Sequence, residues 1–186
     1  AALDIRQNSR FHDLAMHELL AASGLPDTGF SEWSEDRRLA FLRQELQSPR
    51  PFLGVGATCG EHADAVLSCY AVLRGHITRY GREGVGSLIV SMTKRLSDLL
   101  VVYVLAREAG LARWTPEGLL CELPVVPLFE TLDDLERGPG ILSEFLSEPI
   151  TARSLALHQN ERLQVLSLRQ DRPVQQVMIG YSDSNK

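Results

Sequence analysis

The sequence predicts an α/β fold built on a parallel sheet. Four short apolar runs have the length of buried strands, and long stretches of helical periodicity separate them. Parallel neighbours need such long crossovers, whereas antiparallel strands can be joined by tight turns. The four runs end at Arg6, Met92, Glu130 and Asp183. The carboxyl ends of parallel strands share one edge of a sheet, where ligands commonly bind.

The predicted strands cover residues 1–6, 86–93, 123–130 and 177–183. The first starts directly with apolar residues and resembles a strand that is cut at its beginning. The third is the most informative, because its apolar residues suit a strand buried on both faces and it stops at the carboxylate of Glu130. Thr131 and Asp134 then have the spacing of the capping box that starts a helix.

Helices are predicted between the strands, over residues 11–23, 34–48, 62–73, 99–109, 132–136, 141–146 and 151–168. The third places five residues on its inward face: Ala65, Val66, Cys69, Val72 and Leu73. The helix at 99–109 is apolar nearly all round and should be enclosed by other elements, with Ser97 and Asp98 as candidate N-caps. Residues 138–140, Gly-Pro-Gly, should interrupt a helix, and residues 113–118 should form a loop.

The composition narrows the class of protein. The chain has 186 residues, of which 44% are hydrophobic, enough for one sizeable core. A net charge of −5 argues against nucleic acid as the main partner. Cys59, Cys69 and Cys121 lack metal-ligand spacing, which indicates a reducing, cytoplasmic environment. The longest apolar stretch, residues 99–106, is too short to cross a bilayer, so we expect no membrane partner.

The spacing of the strand ends indicates an elaborated barrel. Successive ends lie 86, 38 and 53 residues apart, whereas a (β/α)₈ barrel of ~250 residues allots roughly 30 to each unit. We therefore expect a partial TIM-type (β/α)₈ barrel with about four parallel strands and helix-rich insertions. On this interpretation residues 1–186 are a fragment of one catalytic barrel domain without an internal boundary.

Four strings of residues carry a resemblance to a known family: LDIRQNS at 3–9, LIVSMTKRLSDLLVVYVLAREAG at 88–110, LPVVPLFETLDDL at 123–135 and VMIGYSDSNK at 177–186. Their sequences and their order resemble phosphoenolpyruvate carboxylase from end to end, and the last two strings are highly specific. The family commonly has glutamate where this chain has Asn8.

The resemblance implies a central segment of a large cytoplasmic enzyme, truncated at both ends. Members of the family are usually homotetramers with an eight-stranded barrel. They join phosphoenolpyruvate to bicarbonate, giving oxaloacetate and phosphate, with Mg²⁺ or Mn²⁺ as the cofactor. The family's catalytic histidine and glycine-rich loop are not in this sequence, so the isolated segment should not turn over. The five histidines here are expected to be ordinary helix or loop residues.

Glu130 and Asp183 are the candidate metal ligands. Mg²⁺ prefers hard oxygen ligands and usually takes one or two carboxylates, with water and substrate oxygens completing its coordination. Two carboxylates that end separate strands can supply that pair, and both match the metal ligands of the family. The alternative for either residue is a solvated acid at the start of a loop.

Arg6, Lys186, Leu128 and Met178 are the other candidate site residues. The planar guanidinium of Arg6 suits a phosphate or carboxylate, and the matching family arginine contacts the anionic substrate. The alternative is a structural ion pair with a neighbouring acid. The resemblance places Lys186 close to the active site. It also implies that Leu128 and Met178 line the pocket for the substrate methylene, although both also suit plain core packing.

Two other classes of function stay open at this stage. A dikinase or mutase that uses phosphoenolpyruvate could share the carboxylates and the strand-end arginine without using bicarbonate. A non-catalytic fragment that binds anions or only packs is the second alternative, and the intact pair of Glu130 and Asp183 argues against it.

Overall fold

The fold is described by a computed structural model that covers residues 2–54, 56–166 and 174–180. In chain order the elements are β1 (Leu3–Asn8), α1 (Ser9–Ala22), α2 (Glu35–Glu45), α3 (Glu61–Tyr80), β2 (Val85–Ser91), α4 (Ser97–Glu108), β3 (Ala112–Thr115), β4 (Gly118–Cys121), β5 (Val125–Phe129), α5 (Leu132–Ser147), α6 (Pro149–Leu166) and β6 (Met178–Ile179).

The central sheet has four parallel strands in the order β1-β2-β5-β6. The four strands lie side by side in the order in which they occur along the chain. Helices lie in the connection between each strand and the next. The predicted α/β class, the four parallel strands and the helix-rich insertions are confirmed. The described strands form an open sheet and not a closed barrel, so the partial barrel stays a prediction.

The two faces of the sheet have different surroundings. Leu88, Val90, Val125 and Phe129 belong to the main core, which the helices cover. The alternate residues Ile89, Val126 and Leu128 form a small separate apolar cluster. This division follows from the alternation of side chains along a strand. These residues of both faces are buried.

Helix α4 is the centre of the main core, because all twelve of its residues are buried. Its predicted enclosure is confirmed. The predicted N-caps were wrong: Leu96 holds the N-cap position, and the Asp98 carboxylate accepts the N–H groups of Lys94 and Arg95 at 2.9 and 3.2 Å. No helix in the described ranges combines the length and apolar character needed to cross a membrane.

Helix α5 continues through the Gly-Pro-Gly sequence where an interruption was predicted. Asp134, Gly138, Ile141 and Phe145 are buried at helical spacing on both sides of Pro139. A methyl group at Gly138 would lie 3.2 Å from the Phe129 ring, so the glycine permits close helix–sheet contact. Packing therefore outweighs the intrinsic cost of proline and glycine. The predicted capping box of Thr131 and Asp134 is confirmed.

Residues 113–118 were predicted as a loop, but most of them belong to an antiparallel hairpin made by β3 and β4. Two residues connect the strands, and the Thr115 hydroxyl donates to the Gly118 carbonyl at 2.9 Å. Gly118 has φ of 122°, a conformation that only glycine adopts readily. Trp114 and Thr115 have side chains that favour strands, which explains the difference from the prediction.

Helix α3 extends to Tyr80, beyond its predicted end at residue 73. Val72 is 72% exposed, so its predicted inward position was wrong. Ala65 is exposed too, whereas Val66 and Leu73 are buried as predicted and Tyr70 joins them in the buried stripe. Helix α2 starts as predicted, with Ser34 as its N-cap.

A buried ion cluster joins α1, α2 and the start of α4. The side chain of Arg38 is fully buried and donates to both carboxylate oxygens of Asp13, through Nη1 at 3.1 Å and through Nη2. Its Nη2 also lies 3.6 Å from the Asp98 carboxylate. Since a buried charge is costly without partners, these three residues depend on one another.

We expect Arg38→Met to lower the free energy of unfolding by about 3 to 5 kcal/mol, because it removes the fully buried cation of Asp13 and Asp98. The half-exposed Arg95, at 3.9 and 3.5 Å from these carboxylates, would remain as their weaker partner. Arg37→Met is the matched control on the same helix, since Arg37 pairs with Asp27 at an exposed position. Arg37→Met should lower the free energy of unfolding by much less than Arg38→Met. Urea unfolding followed by circular dichroism measures both values, and equal losses would contradict the role of Arg38.

Candidate active site

The carboxyl ends of β1, β2 and β5 meet around the Glu130 carboxylate. Its Oε1 accepts a hydrogen bond from Arg6 Nη2 at 2.8 Å, which is also an ion pair. Its Oε2 accepts the backbone N–H of Met92 at 2.8 Å. One carboxylate therefore connects the ends of three neighbouring strands.

The Arg6–Glu130 pair is open to solvent. The side chains of Arg6 and Glu130 are 57% and 21% exposed. In the register of the sheet Arg6 lies opposite Ile89, and Ile89 lies opposite Val126, two positions before Leu128 in β5. The pair thus continues the face that carries the small apolar cluster.

The Glu130 carboxylate has capacity for a further ligand. Each carboxylate oxygen can accept about two hydrogen bonds or metal contacts, and each oxygen here accepts one hydrogen bond from the described residues. A hard carboxylate oxygen is the type of ligand that Mg²⁺ and Mn²⁺ take. The chemistry of this side chain therefore fits a divalent cation, with the remaining ligands drawn from elsewhere.

Asp183 and Lys186 lie outside the described residues, so the predicted partner of Glu130 and the predicted lysine have no position here. Within the described ranges, no group of three His, Cys, Asp or Glu side chains is placed to hold a metal ion. Glu130 is the described member of the predicted pair.

Leu128 and Met178 lie opposite each other on β5 and β6. Leu128 is buried in the small cluster, whereas Met178 is 40% exposed. Gly180 directly follows β6 in the chain, and its N–H donates to the Phe129 carbonyl at 2.9 Å. A methyl group at Gly180 would lie 3.1 Å from Glu130 Cγ. An apolar surface therefore borders the polar strand ends.

Met92 is a site residue that sequence reasoning missed. Among the described residues other than glycine, it is the one with a positive φ, 58°. This left-handed conformation is uncommon for a side chain such as methionine, and it directs the N–H towards Glu130. The only sequence signal was its place at the end of a predicted strand.

A cavity of about 280 Å³ with a mixed polar and apolar lining lies apart from this edge, with Cys59, Asp64 and Glu108 among its lining residues. Glu108 already accepts the N–H groups of Phe52 and Leu53. Burial raises the pKa of the Cys59 thiol, which makes it a poor nucleophile. The lining groups serve the fold, so we place the candidate site at the strand ends.

Comparison with known proteins identifies the family. The family model described as phosphoenolpyruvate carboxylase matches residues 1–186. The chain belongs to this family. The match confirms the resemblance carried by the four strings of the sequence.

Three bacterial phosphoenolpyruvate carboxylases illustrate the similarity. The protein of Gloeobacter violaceus is 37% identical over 186 residues, covering 100% of this chain and 18% of that protein. The protein of Rhodothermus marinus is 36% identical, covering 99% and 19%. The protein of Rhodopseudomonas palustris is 39% identical, covering 100% and 18%. The chain thus spans about a fifth of the length of these carboxylases.

His12 lies in the first turn of α1, the helix that follows the first strand of this carboxylase segment. It is buried, and its Nε2 is 2.8 Å from Gln7 Oε1, to which the neutral ring donates. Burial lowers the pKa of His12 to about 4, because the charged ring would lose its hydration. Together with the helical positions of His17, His62, His76 and His158, this agrees with the prediction that the histidines are helix or loop residues.

We expect His12 to make the segment less stable as the pH falls from about 6.5 to about 4. In that range the unfolded chain binds a proton that the folded chain excludes. The loss is about 3 kcal/mol in total and is absent above the unfolded pKa. Urea unfolding of the wild type and of His12→Gln across this range measures the effect. The variant should show a smaller pH slope, and an equal slope would contradict the assignment.

Proposed function

We propose that this chain forms part of the active site of an enzyme that carboxylates phosphoenolpyruvate with bicarbonate, giving oxaloacetate and phosphate. Family membership over residues 1–186 is the observation that supports the reaction. The Arg6, Met92 and Glu130 cluster supports the location, because it is a solvent-open, polar edge at the carboxyl ends of parallel strands.

Glu130 is proposed to hold Mg²⁺ or Mn²⁺ together with Asp183. Its carboxylate is positioned by two donors, and the described residues leave acceptor capacity on both oxygens. When bound, a divalent cation supplies positive charge that stabilises the anionic oxygens of the substrate. The protein's own contribution is to fix the direction of the carboxylate before the cation arrives.

Arg6 is proposed to bind the phosphate or carboxylate of phosphoenolpyruvate. Its bond to Glu130 restrains the guanidinium through one nitrogen, Nη2. This is the one hydrogen bond of the guanidinium to the described residues, and a guanidinium has five N–H groups. A planar, permanently charged fork recognises such anions in a bidentate manner. Lys186 is proposed to add a second positive charge for bicarbonate or phosphate.

The proposed reaction starts when a bicarbonate oxygen attacks phosphorus and the enolate of pyruvate departs. Carboxyphosphate then breaks into CO₂ and phosphate, and the enolate carbon adds to CO₂. Arg6 would stabilise the negative charge through both steps. Leu128 and Met178 are proposed to keep water from the methylene carbon, because a proton would divert the enolate to pyruvate.

We further propose that residues 1–186 are part of one barrel domain of a cytoplasmic homotetramer. The segment alone should not turn over, since the family's catalytic histidine and glycine-rich loop are not in its sequence. The experiments below therefore use the carboxylase that carries this segment.

We expect Glu130→Gln to weaken Mn²⁺ affinity by roughly 100-fold or more, because it removes a charged ligand. Incorporation of labelled bicarbonate into an acid-stable product, dependent on phosphoenolpyruvate and Mn²⁺, should fall severely with it. A Mn²⁺ titration of this incorporation measures both effects. An acid-stable labelled product that forms without phosphoenolpyruvate, or no such product from the wild type, would refute the proposed reaction.

Glu122→Gln is the matched control for that experiment. Glu122 also pairs with an arginine, Arg113 at 3.1 Å, and its side chain is 24% exposed. Glu122 lies between the hairpin and the start of β5, not at the carboxyl ends of the central strands. The Mn²⁺ titration of Glu122→Gln should therefore match that of the wild type. An unchanged titration of Glu130→Gln would remove Glu130 from the ligand set.

We expect Arg6→Lys to raise the KM for phosphoenolpyruvate by roughly 10-fold or more, because lysine keeps the charge but loses the planar fork. Arg10→Lys, at an exposed position in the first turn of α1, is the control and should keep the wild-type KM. Steady-state kinetics at saturating bicarbonate and Mn²⁺ gives both values. Equal KM values for the two variants would argue against a substrate contact by Arg6.

A further inference from the structure

Two serine hydroxyls join the ends of β1 and β2: one donates from the β1 side to the β2 side, and the other donates in the reverse direction. Ser9 Oγ, at the start of α1, donates to the Met92 carbonyl at 3.0 Å. Ser91 Oγ donates to the Gln7 carbonyl at 3.3 Å. Both serines are buried. Only the first of these bonds reaches the residue whose N–H contacts Glu130.

Met92 is held from both sides in an unfavourable backbone conformation. Its N–H donates to Glu130 Oε2, and its carbonyl accepts from Ser9. A left-handed conformation costs a non-glycine residue roughly 1 to 2 kcal/mol, so it persists only where the surroundings enforce it. The Ser9 hydroxyl supplies part of that enforcement.

The hydroxyl of Ser9 is not used for helix capping. Asn8 is the N-cap of α1, and its side chain accepts the Arg10 N–H at 2.9 Å. A serine at a helix start commonly performs that task. Here the cap is already filled, and the Ser9 hydroxyl bonds across to the chain end of β2.

We propose that Ser9 is a positioning residue for the Glu130 carboxylate. It fixes Met92, and the Met92 N–H fixes Oε2, so that the carboxylate keeps one direction towards its cation. This inference rests on the proposed metal role of Glu130. Groups that orient a metal ligand typically change metal affinity by 10- to 100-fold when they are removed.

The test is Mn²⁺ binding to the carboxylase that carries this segment, measured by electron paramagnetic resonance in the absence of substrates. We expect Ser9→Ala to raise the Kd for Mn²⁺ roughly 10-fold. Ser91→Ala is the matched control, because it removes a hydroxyl bond between the same strands without touching Met92. Its Kd should stay within about twofold of the wild type.

Two further variants separate positioning from general destabilisation. The two serine variants should both have a lower Tm of unfolding than the wild type. Of these two, only Ser9→Ala should change the Kd for Mn²⁺. Met92→Val should also raise the Kd, since a β-branched residue disfavours the left-handed conformation. Met92→Gly, which adopts that conformation readily, should keep a Kd near the wild-type value.

The controls distinguish the failure of this inference from that of the proposed function. If Glu130→Gln raises the Kd but Ser9→Ala and Met92→Val do not, the positioning role is overturned and the metal role of Glu130 stands. If Glu130→Gln leaves the Kd unchanged, the metal role fails and the positioning role fails with it. A Kd raised equally by Ser91→Ala would also overturn the inference, because the effect would then be structural.

Discussion

The arrangement of the strand ends depends on a single carboxylate that has two different donors. Glu130 directly follows β5, and its two oxygens accept hydrogen bonds from a side chain of β1 and from the backbone after β2. Parallel strands have no tight turns to fix their ends relative to one another, so contacts of this kind define the geometry of the edge. The same carboxylate is the proposed ligand of a cation, which links the order of the edge to the proposed chemistry.

The segment between Met92 and α4 is anchored at both ends, which explains how an unusual backbone conformation is maintained. At one end Met92 is bonded to Ser9 and Glu130. At the other, the Asp98 carboxylate accepts the N–H groups of Lys94 and Arg95. Asp98 also faces the fully buried Arg38, and α4 behind it is entirely enclosed. The core thus supplies the rigidity that the edge requires.

The sequence was sufficient for features that depend on local pattern. The abrupt end of β5 at Glu130, the capping box at Thr131 and the enclosure of α4 all follow from hydrophobic spacing and capping chemistry. The continuous helix through Pro139 could not be predicted, because contact with the sheet outweighs local propensity. The N–H of Met92 could not be predicted either, since its direction is set by a backbone angle that distant residues enforce.

The close approach of Gly180 makes the site sensitive to a position that has no functional group. Any side chain there would press on Glu130 Cγ and on Leu128 Cδ1, at 3.1 and 3.3 Å. Displacing Glu130 by a few tenths of an ångström would change both of its hydrogen bonds at once. Evolution of this edge is therefore constrained by steric exclusion as well as by chemistry: a lineage that enlarged residue 180 would need a compensating change in the neighbouring strand.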